Sequence, residues 1–156
     1  MGRNAPGGGA GWTELFFLDE VTAFAAGHRP CFCCRRAAAN AFAAAFARGQ
    51  GRERIAAPEM DRTLHNERLA SGGSPTLLAP SEVRALPDGA MVAYGPKAFA
   101  VKEGKLLPWT FAGYGAARAS CRGLPPQADL VTPPAAVAAL RAGYRPVWHA
   151  SVAHKT

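Results

Sequence analysis

The cysteine-rich segment 21–36 constrains the fold more than any other stretch of this chain. Three of the four cysteines stand within four residues, directly after a short helix-forming run that ends at Gly27. The Arg-Pro step that follows disfavours helical backbone, so the chain should enter the cysteines extended. Cys31 and Cys34 have Cys-x-x-Cys spacing, which lets two thiolates face one point and supplies half of a tetrahedral zinc site. The segment therefore predicts a zinc knuckle.

A second stretch, 137–150, repeats the pattern of 21–34 without a gap. Both copies carry a valine, two alanines, a large apolar residue, a glycine and an Arg-Pro pair at matching positions. Val147 and Ala150 stand where the first copy has its Cys-x-x-Cys pair. Chance similarity in an alanine-rich chain is the alternative explanation. If the match is real, the chain contains two strand-helix-Gly-x-Arg-Pro units, 15–34 and 130–149.

The charge balance favours a polyanionic partner. The chain of 156 residues carries a net charge of +7, from 14 arginines and 4 lysines against 11 acidic residues. Such an excess favours nucleic acid first and an acidic membrane surface second, and arginine suits planar contacts with phosphate. The alternative is that a GC-rich genome encodes arginine and alanine wherever it can.

Length and apolar patterning predict one cytoplasmic domain. The Gly-rich stretch 1–11 should form a disordered tail, and 12–150 is long enough for a single α+β domain with a buried core. No apolar run reaches the roughly 18 residues of a membrane span, and the N-terminus lacks the apolar core of a signal peptide. The cysteines should therefore be reduced or metal-bound in the cytoplasm.

Periodicity predicts short helices and a small antiparallel meander. Alanines with two phenylalanines one turn apart predict a helix over 35–47, and Pro58 should open a second helix that continues to 69. A final helix should end at Gly143. Turn signals separate three strands of a meander, at 90–94, 97–102 and 105–111. Further short strands are expected at 15–18, 130–131 and 144–149. The predicted fold class is α+β, with the zinc-knuckle-like segment inserted among the helices.

A closed zinc site needs two ligands besides Cys31 and Cys34. The chain has no second Cys-x-x-Cys pair, so cysteines that only pack beside a helix are the alternative. The pair also precedes the predicted helix 35–47, and the dipole of that helix would lower the pKa of a thiol at its N-terminus. The sequence is therefore equally compatible with a reactive thiol. The first candidates for the missing ligands are Cys121 and His28, and weaker ones are Cys33, His65 and His149.

His65 and Asp61 lie four residues apart on one face of the second predicted helix. A histidine beside a carboxylate can act as a general base or a metal ligand, so the two residues are weak catalytic candidates for a metal-dependent hydrolase or nuclease. A lone histidine on an amphipathic helix is more often a packed or surface residue, and we lean against an enzyme.

Arginines surround the cysteine segment and follow the first long helix. The stretch 28–54 carries six arginines against one glutamate. Such a local excess can bind a phosphate backbone, with Phe32 or Trp109 stacking on a base. Solvated surface arginine is the alternative. The predicted phosphate contacts are Arg29, Arg35, Arg36, Arg52 and Arg54.

The run Ala26-Gly27-His28-Arg29-Pro30-Cys31, followed by Cys34-Arg35, resembles the N-terminal zinc-binding domain of Ada-type methylphosphotriester DNA repair proteins. The resemblance implies a zinc ion held by four cysteines and contact with the DNA backbone. Only Cys31 and Cys34 match ligand positions, because the family's other cysteine pair lies upstream and includes the methyl acceptor. Methyl transfer is therefore not carried over. The rest of the chain is similar to short uncharacterised bacterial proteins, and that likeness implies no activity.

These features favour a nucleic-acid-binding protein built round an Ada-like, degenerate zinc knuckle, with DNA preferred to RNA. The hydrolase or nuclease that uses His65 and Asp61 is the second hypothesis. A metal-free interaction module, in which the cysteines merely pack, is the third.

Overall fold

A computed structural model describes residues 16–119 and 121–153 of the chain. The predicted tail over 1–11 lies outside the described residues. The five α-helices found within these ranges are α1 (Glu20–Ala25), α2 (Arg36–Gly49), α3 (Ala57–Glu67), α4 (Pro80–Arg84) and α5 (Pro134–Arg141). The six strands are β1 (Thr76–Leu78), β2 (Met91–Tyr94), β3 (Lys97–Lys102), β4 (Lys105–Thr110), β5 (Gly113–Tyr114) and β6 (Ala128–Leu130).

The strands form one antiparallel sheet in the order β1-β6-β2-β3-β4-β5. Its centre is the predicted meander β2-β3-β4, and two-residue turns join these strands. At the second turn, both Glu103 (φ 51°) and Gly104 (φ 70°) have left-handed backbone, as a tight hairpin requires. The predicted α+β class is confirmed. The sheet is wider than predicted, because β1 and β6 extend one edge and β5 the other.

Alternating side chains of the meander build two apolar layers, one on each face of the sheet. Met91, Ala100 and Leu107 are aligned across the three strands and pack with Val21 of α1. Val101 pairs with Leu106 and belongs to the other layer. Helices α2, α3 and α5 cover this second layer with their apolar faces. Helix α1 contributes to both layers, with Val21 in the first and Phe24 in the second.

An aromatic cluster joins α1, α2 and the segment after α5. Phe42 of α2 lies 5.1 Å from Phe24 and 5.3 Å from Tyr144, measured between ring centroids. Phe46 follows one turn later and is also buried. The aromatic stripe predicted for the helix over 35–47 is confirmed as part of the core, and the helix itself ends at Gly49.

The end of α2 approaches α5 so closely that only glycine fits at position 49. A Cβ atom added there would lie 2.7 Å from the carbonyl carbon and 2.8 Å from the carbonyl oxygen of Ala138. Glycine-to-alanine changes in an open helix normally raise stability. We expect Gly49→Ala to lower the free energy of unfolding instead, by about 1 to 3 kcal/mol, through steric overlap.

Urea denaturation checks this prediction. The matched control is Asn40→Ala, on an exposed site of the same helix, which should change the free energy of unfolding by less than about 0.5 kcal/mol. A Gly49→Ala variant as stable as the parent protein would show that α2 and α5 separate easily.

Two predicted strands are wrong within the described residues. Residues 16–18 and 144–149 form no strand, although 144–149 lies against the start of α1. The backbone N–H groups of this segment donate to side-chain carboxylates instead of to the carbonyl groups of a neighbouring strand. The Val147 N–H donates to Glu20 and the His149 N–H donates to Asp19. The helix and glycine of each unit agree with prediction, since Gly27 (φ 77°) and Gly143 (φ 106°) both follow a helix in left-handed backbone.

Candidate functional site

Asp19 caps α1 and connects it to two distant parts of the chain. Its carboxylate accepts hydrogen bonds from the Thr22 backbone N–H at 2.9 Å and from the Tyr114 hydroxyl at 2.9 Å. It also accepts the backbone N–H of His149 at 3.0 Å. Asp19 is therefore the N-cap of α1, and its contacts fix α1 against both β5 and the segment that follows α5.

Glu20 is a buried carboxylate, only 6% exposed, beside the cysteine loop. It accepts hydrogen bonds from the Tyr144 hydroxyl at 3.1 Å and from the Val147 backbone N–H at 2.8 Å. Its remaining partner is the Arg35 guanidinium, at 2.5 Å. Because Arg35 immediately precedes α2, this ion pair fixes the point where the cysteine loop becomes a helix.

The loop begins where Gly27 turns the chain away from α1. The His28 backbone N–H donates to the Ala23 carbonyl at 2.9 Å, which closes the end of the helix. A Cβ atom on Gly27 would lie 2.9 Å from the Arg68 side chain and 3.3 Å from the Leu64 carbonyl oxygen. Glycine is therefore required both by its φ and by the close approach to α3.

Arg29 ties the same loop to α3. Its guanidinium donates to both carboxylate oxygens of Asp61, at 2.7 and 2.8 Å, in a bidentate pair. The guanidinium also lies over the Phe32 ring, 4.8 Å from its centroid. Arg29 thus has a structural partner on each side, and Asp61 is occupied by it.

The cysteines sit on the turn between Pro30 and α2. The Cys31 sulfur accepts the backbone N–H of Cys33 at 3.3 Å, and the Cys31 carbonyl accepts the Arg35 N–H at 2.9 Å. Hydrogen bonds from the backbone N–H groups of Cys34 and Cys33 and from the Cys34 thiol lower the pKa of Cys31. The hydrogen bond to Cys31 raises the pKa of the Cys34 thiol. The pair is polarised, with negative charge favoured on Cys31.

Both thiols face an open cavity of about 500 Å³. Its polar lining includes His28, Glu20 and Arg35, and its rim carries two exposed apolar side chains, Phe16 (89% exposed) and Val147 (57% exposed). We call this space the cysteine cavity. It brings together residues of the first predicted unit and Val147, near the end of the second.

His28 supplies an imidazole to the cysteine cavity. Its ring lies 5.1 Å from the Phe17 ring. Burial lowers the pKa of His28, the positive charge of Arg68 lowers it further, and Asp61 opposes the shift. The ring is therefore neutral near pH 7, the form in which histidine binds metals.

The described residues fit a zinc ion only in part. Cys31, Cys34 and His28 line one cavity, whereas Cys121 accepts a hydrogen bond from the Tyr94 hydroxyl at 3.4 Å, beside β2. Within 16–119 and 121–153, no group of three or more His, Cys, Asp or Glu side chains is placed to hold a metal. The prediction of zinc remains a prediction, and we derive no function through the metal.

The two catalytic candidates are engaged elsewhere. Both oxygens of Asp61 bind Arg29, and the exposed His65 has its Nδ1 3.5 Å from the Ser71 hydroxyl. That hydroxyl also accepts a hydrogen bond from Arg68. The hydrolase role of His65 and Asp61 stays a prediction.

The predicted phosphate-binding arginines occupy different environments. Arg52 forms an ion pair with Glu59, and Arg36 and Arg54 are exposed. With Arg29 and Arg35 already held by carboxylates, Arg36 and Arg54 keep the most accessible guanidinium groups of the predicted set.

A second groove runs between α2 and 143–147. It has a volume of about 610 Å³ and alanines for its floor: Ala37, Ala38, Ala41 and Ala44. Three arginines line it, namely Arg35, Arg48 and Arg145, and we call this surface the arginine groove. Sequence reasoning counted Arg48 in the positive stretch 28–54 without naming it as a contact, and it missed Arg145. The spacing of Ala37, Ala41, Ala44 and Arg48 could have indicated the α2 side of the groove, because these residues share one helical face.

No family model, curated protein or solved structure matches this chain significantly. Among the described residues, no helix combines the length and apolar character needed to cross a membrane.

Proposed function

We propose that this protein binds nucleic acid, preferring duplex DNA to RNA, and that the arginine groove holds the phosphate backbone. The observation that supports the proposal best is the groove itself, where guanidinium groups from α2 and from the second Arg-Pro unit line one channel. The net charge of +7 adds long-range attraction to a polyanion.

The shape of the groove suits a phosphate backbone. Alanine side chains are short, so they let a backbone approach α2 closely, while arginines at the sides donate to phosphate oxygens. Arg36 is exposed at the first residue of α2 and extends the positive charge toward the cysteine loop. The proposed contacts are Arg36, Arg48 and Arg145, with Arg54 beyond the end of α2.

The preference for DNA rests on the similarity of 26–35 to the Ada-type zinc-binding domain, whose members contact the DNA backbone. We propose that the cytoplasm is the site of this function, since all four cysteines are free thiols, as a reducing compartment requires.

The test compares two triple variants with the same loss of charge. Arg36→Gln, Arg48→Gln and Arg145→Gln together should weaken binding of a short DNA duplex by about tenfold or more, and lower the slope of log K against log salt by about 2 to 3. Arg29 and Arg35 are left unchanged, because they hold Asp61 and Glu20.

The matched control replaces Arg62, Arg84 and Lys97, three exposed cations outside the groove, with glutamine. Its affinity should fall by no more than about threefold, through the loss of net charge alone. An RNA duplex of the same length should bind more weakly than the DNA. Equal losses for the two triple variants would contradict the proposal.

Bound metal, measured per chain on protein purified without chelator, tests the zinc prediction separately. One zinc per chain, lost in the Cys31→Ser and Cys34→Ser double variant but kept in Cys33→Ser, would establish the zinc knuckle, whereas protein without bound metal would leave both thiols free for other chemistry. Zinc retained in the double variant would exclude these two thiols as ligands.

A further inference from the structure

Cys31 and Cys34 form a pair in which the two thiols have different roles. The Cys31 sulfur accepts the Cys33 backbone N–H at 3.3 Å, and Cys31 and Cys34 line the same cavity from a single turn of the chain. Both residues precede α2, a helix of 14 residues. Cys34 is exposed and Cys31 is partly exposed, so a reagent can reach both.

The cysteine cavity gives this pair a place to hold a partner. It opens beside both sulfur atoms, and its rim carries the exposed side chains of Phe16 and Val147. Large apolar side chains exposed on the rim of a cavity favour an apolar ligand group. The cavity would therefore place an apolar side chain of a bound polypeptide against the rim and its neighbouring sulfur against Cys31.

We infer that Cys31 and Cys34 are a redox-active dithiol that reduces a disulfide flanked by an apolar side chain in a partner polypeptide. The Cys31 thiolate attacks one sulfur of that disulfide, a mixed disulfide forms, and the other partner sulfur leaves as a thiolate. The Cys34 thiolate then attacks the Cys31 sulfur, which forms the Cys31–Cys34 disulfide and releases the second partner thiolate. The partner disulfide gains two electrons and the cysteine pair loses them, so the exchange is balanced.

The role of each cysteine is tested with oxidised glutathione on the full chain. The parent protein should form the Cys31–Cys34 disulfide without retaining glutathione, and reduced glutathione should reverse it. Cys34→Ser should stop at a glutathione adduct on Cys31, whereas Cys31→Ser should lose exchange by about tenfold or more. Cys33→Ser is the matched control, because it keeps the backbone N–H donor, and it should behave as the parent does. Peptide mapping by mass spectrometry identifies the modified residue.

Recognition by the rim is tested with a disulfide-bonded peptide that carries a phenylalanine beside its cysteine. The Phe16→Ser and Val147→Ser double variant should react more slowly with this peptide, by about fivefold, while its rate with oxidised glutathione stays unchanged. Circular dichroism of each variant verifies that the fold is kept.

Three outcomes would overturn the inference. The first is the absence of a Cys31–Cys34 disulfide at every glutathione ratio, and the second is a glutathione adduct on Cys33 while Cys31 and Cys34 stay reduced. The third is a bound metal that protects both thiols in the purified protein. An unchanged peptide rate in the rim variant would overturn recognition by Phe16 and Val147.

Discussion

Replacing Glu20 with alanine should lower the free energy of unfolding by about 3 kcal/mol, among the largest effects of any single substitution in this protein. The change removes the acceptor for the buried Tyr144 hydroxyl and for the Val147 N–H, and it leaves Arg35 without its carboxylate. The buried Tyr144 hydroxyl that loses its acceptor cannot recover water, so the loss exceeds that of an exposed ion pair. Chemical denaturation near pH 7 measures it.

Glu59→Ala is the matched control, because Glu59 also stands in the first turn of a helix and pairs with an arginine, Arg52. That pair is at the surface, so the control should lose less than about 1 kcal/mol. Glu20→Gln keeps the side-chain volume and one acceptor oxygen. Its loss of stability should lie between those of Glu20→Ala and Glu59→Ala. If Glu20→Ala and Glu59→Ala lose equal stability, the buried network contributes little.

The second large effect is a loss of stability in alkaline solution, caused by three buried tyrosines. Burial is the main cause that raises the pKa of Tyr94, Tyr114 and Tyr144 above the ordinary value. The second cause is the hydrogen bond to Cys121 for Tyr94, and the negative charge of Asp19 or Glu20 for the other two. Each raised pKa means that the folded protein holds the phenolic proton more tightly than the unfolded chain does.

The sign of the pH dependence follows from this difference. The stabilising contribution is complete below the unfolded tyrosine pKa of about 10, and it is lost as the pH rises from there toward the raised folded values. In that window each tyrosine lowers the free energy of unfolding by about 1.4 kcal/mol per pH unit, so the three together give about 4 kcal/mol per unit.

Urea denaturation between about pH 9 and pH 12 measures this slope. Tyr144→Phe and Tyr114→Phe should each be less stable than the parent near neutral pH, through a lost hydrogen bond, but each should flatten the alkaline slope by about 1.4 kcal/mol per unit. A triple phenylalanine variant with the same slope as the parent would contradict the assignment to these side chains.

The elements that could be predicted from the sequence are those set by nearby residues. The meander follows from turn residues such as Gly95, Glu103 and Gly104, which lie directly between alternating apolar runs. The helix α2 follows from its alanines and from the spacing of Phe42 and Phe46. The Asp19 cap was equally local, because its first acceptor contact is to a backbone N–H three residues away.

The parts that could not be predicted depend on partners far away in the sequence. From the sequence, Glu20 could be placed only in a short helix, because the backbone N–H that it binds belongs to Val147, 127 residues later. The segment 144–149 has a strand-like pattern, but carboxylates of α1 take the N–H groups that a ladder would have used. The arginine groove could not be predicted, because the sequence does not show that α2 and the second Arg-Pro unit lie side by side.

The contacts of Asp19 and Glu20 with residues 144–149 also set an order of events during synthesis. His149 is synthesised 130 residues after Asp19, so α1 and the cysteine loop lack these partners while the meander and α2 are already available. A nascent chain would therefore hold its thiols on an unfinished loop until residues 144–149 have been synthesised. The permanent contacts of α1 beside the cysteine loop can therefore form only after residues 144–149 have been made.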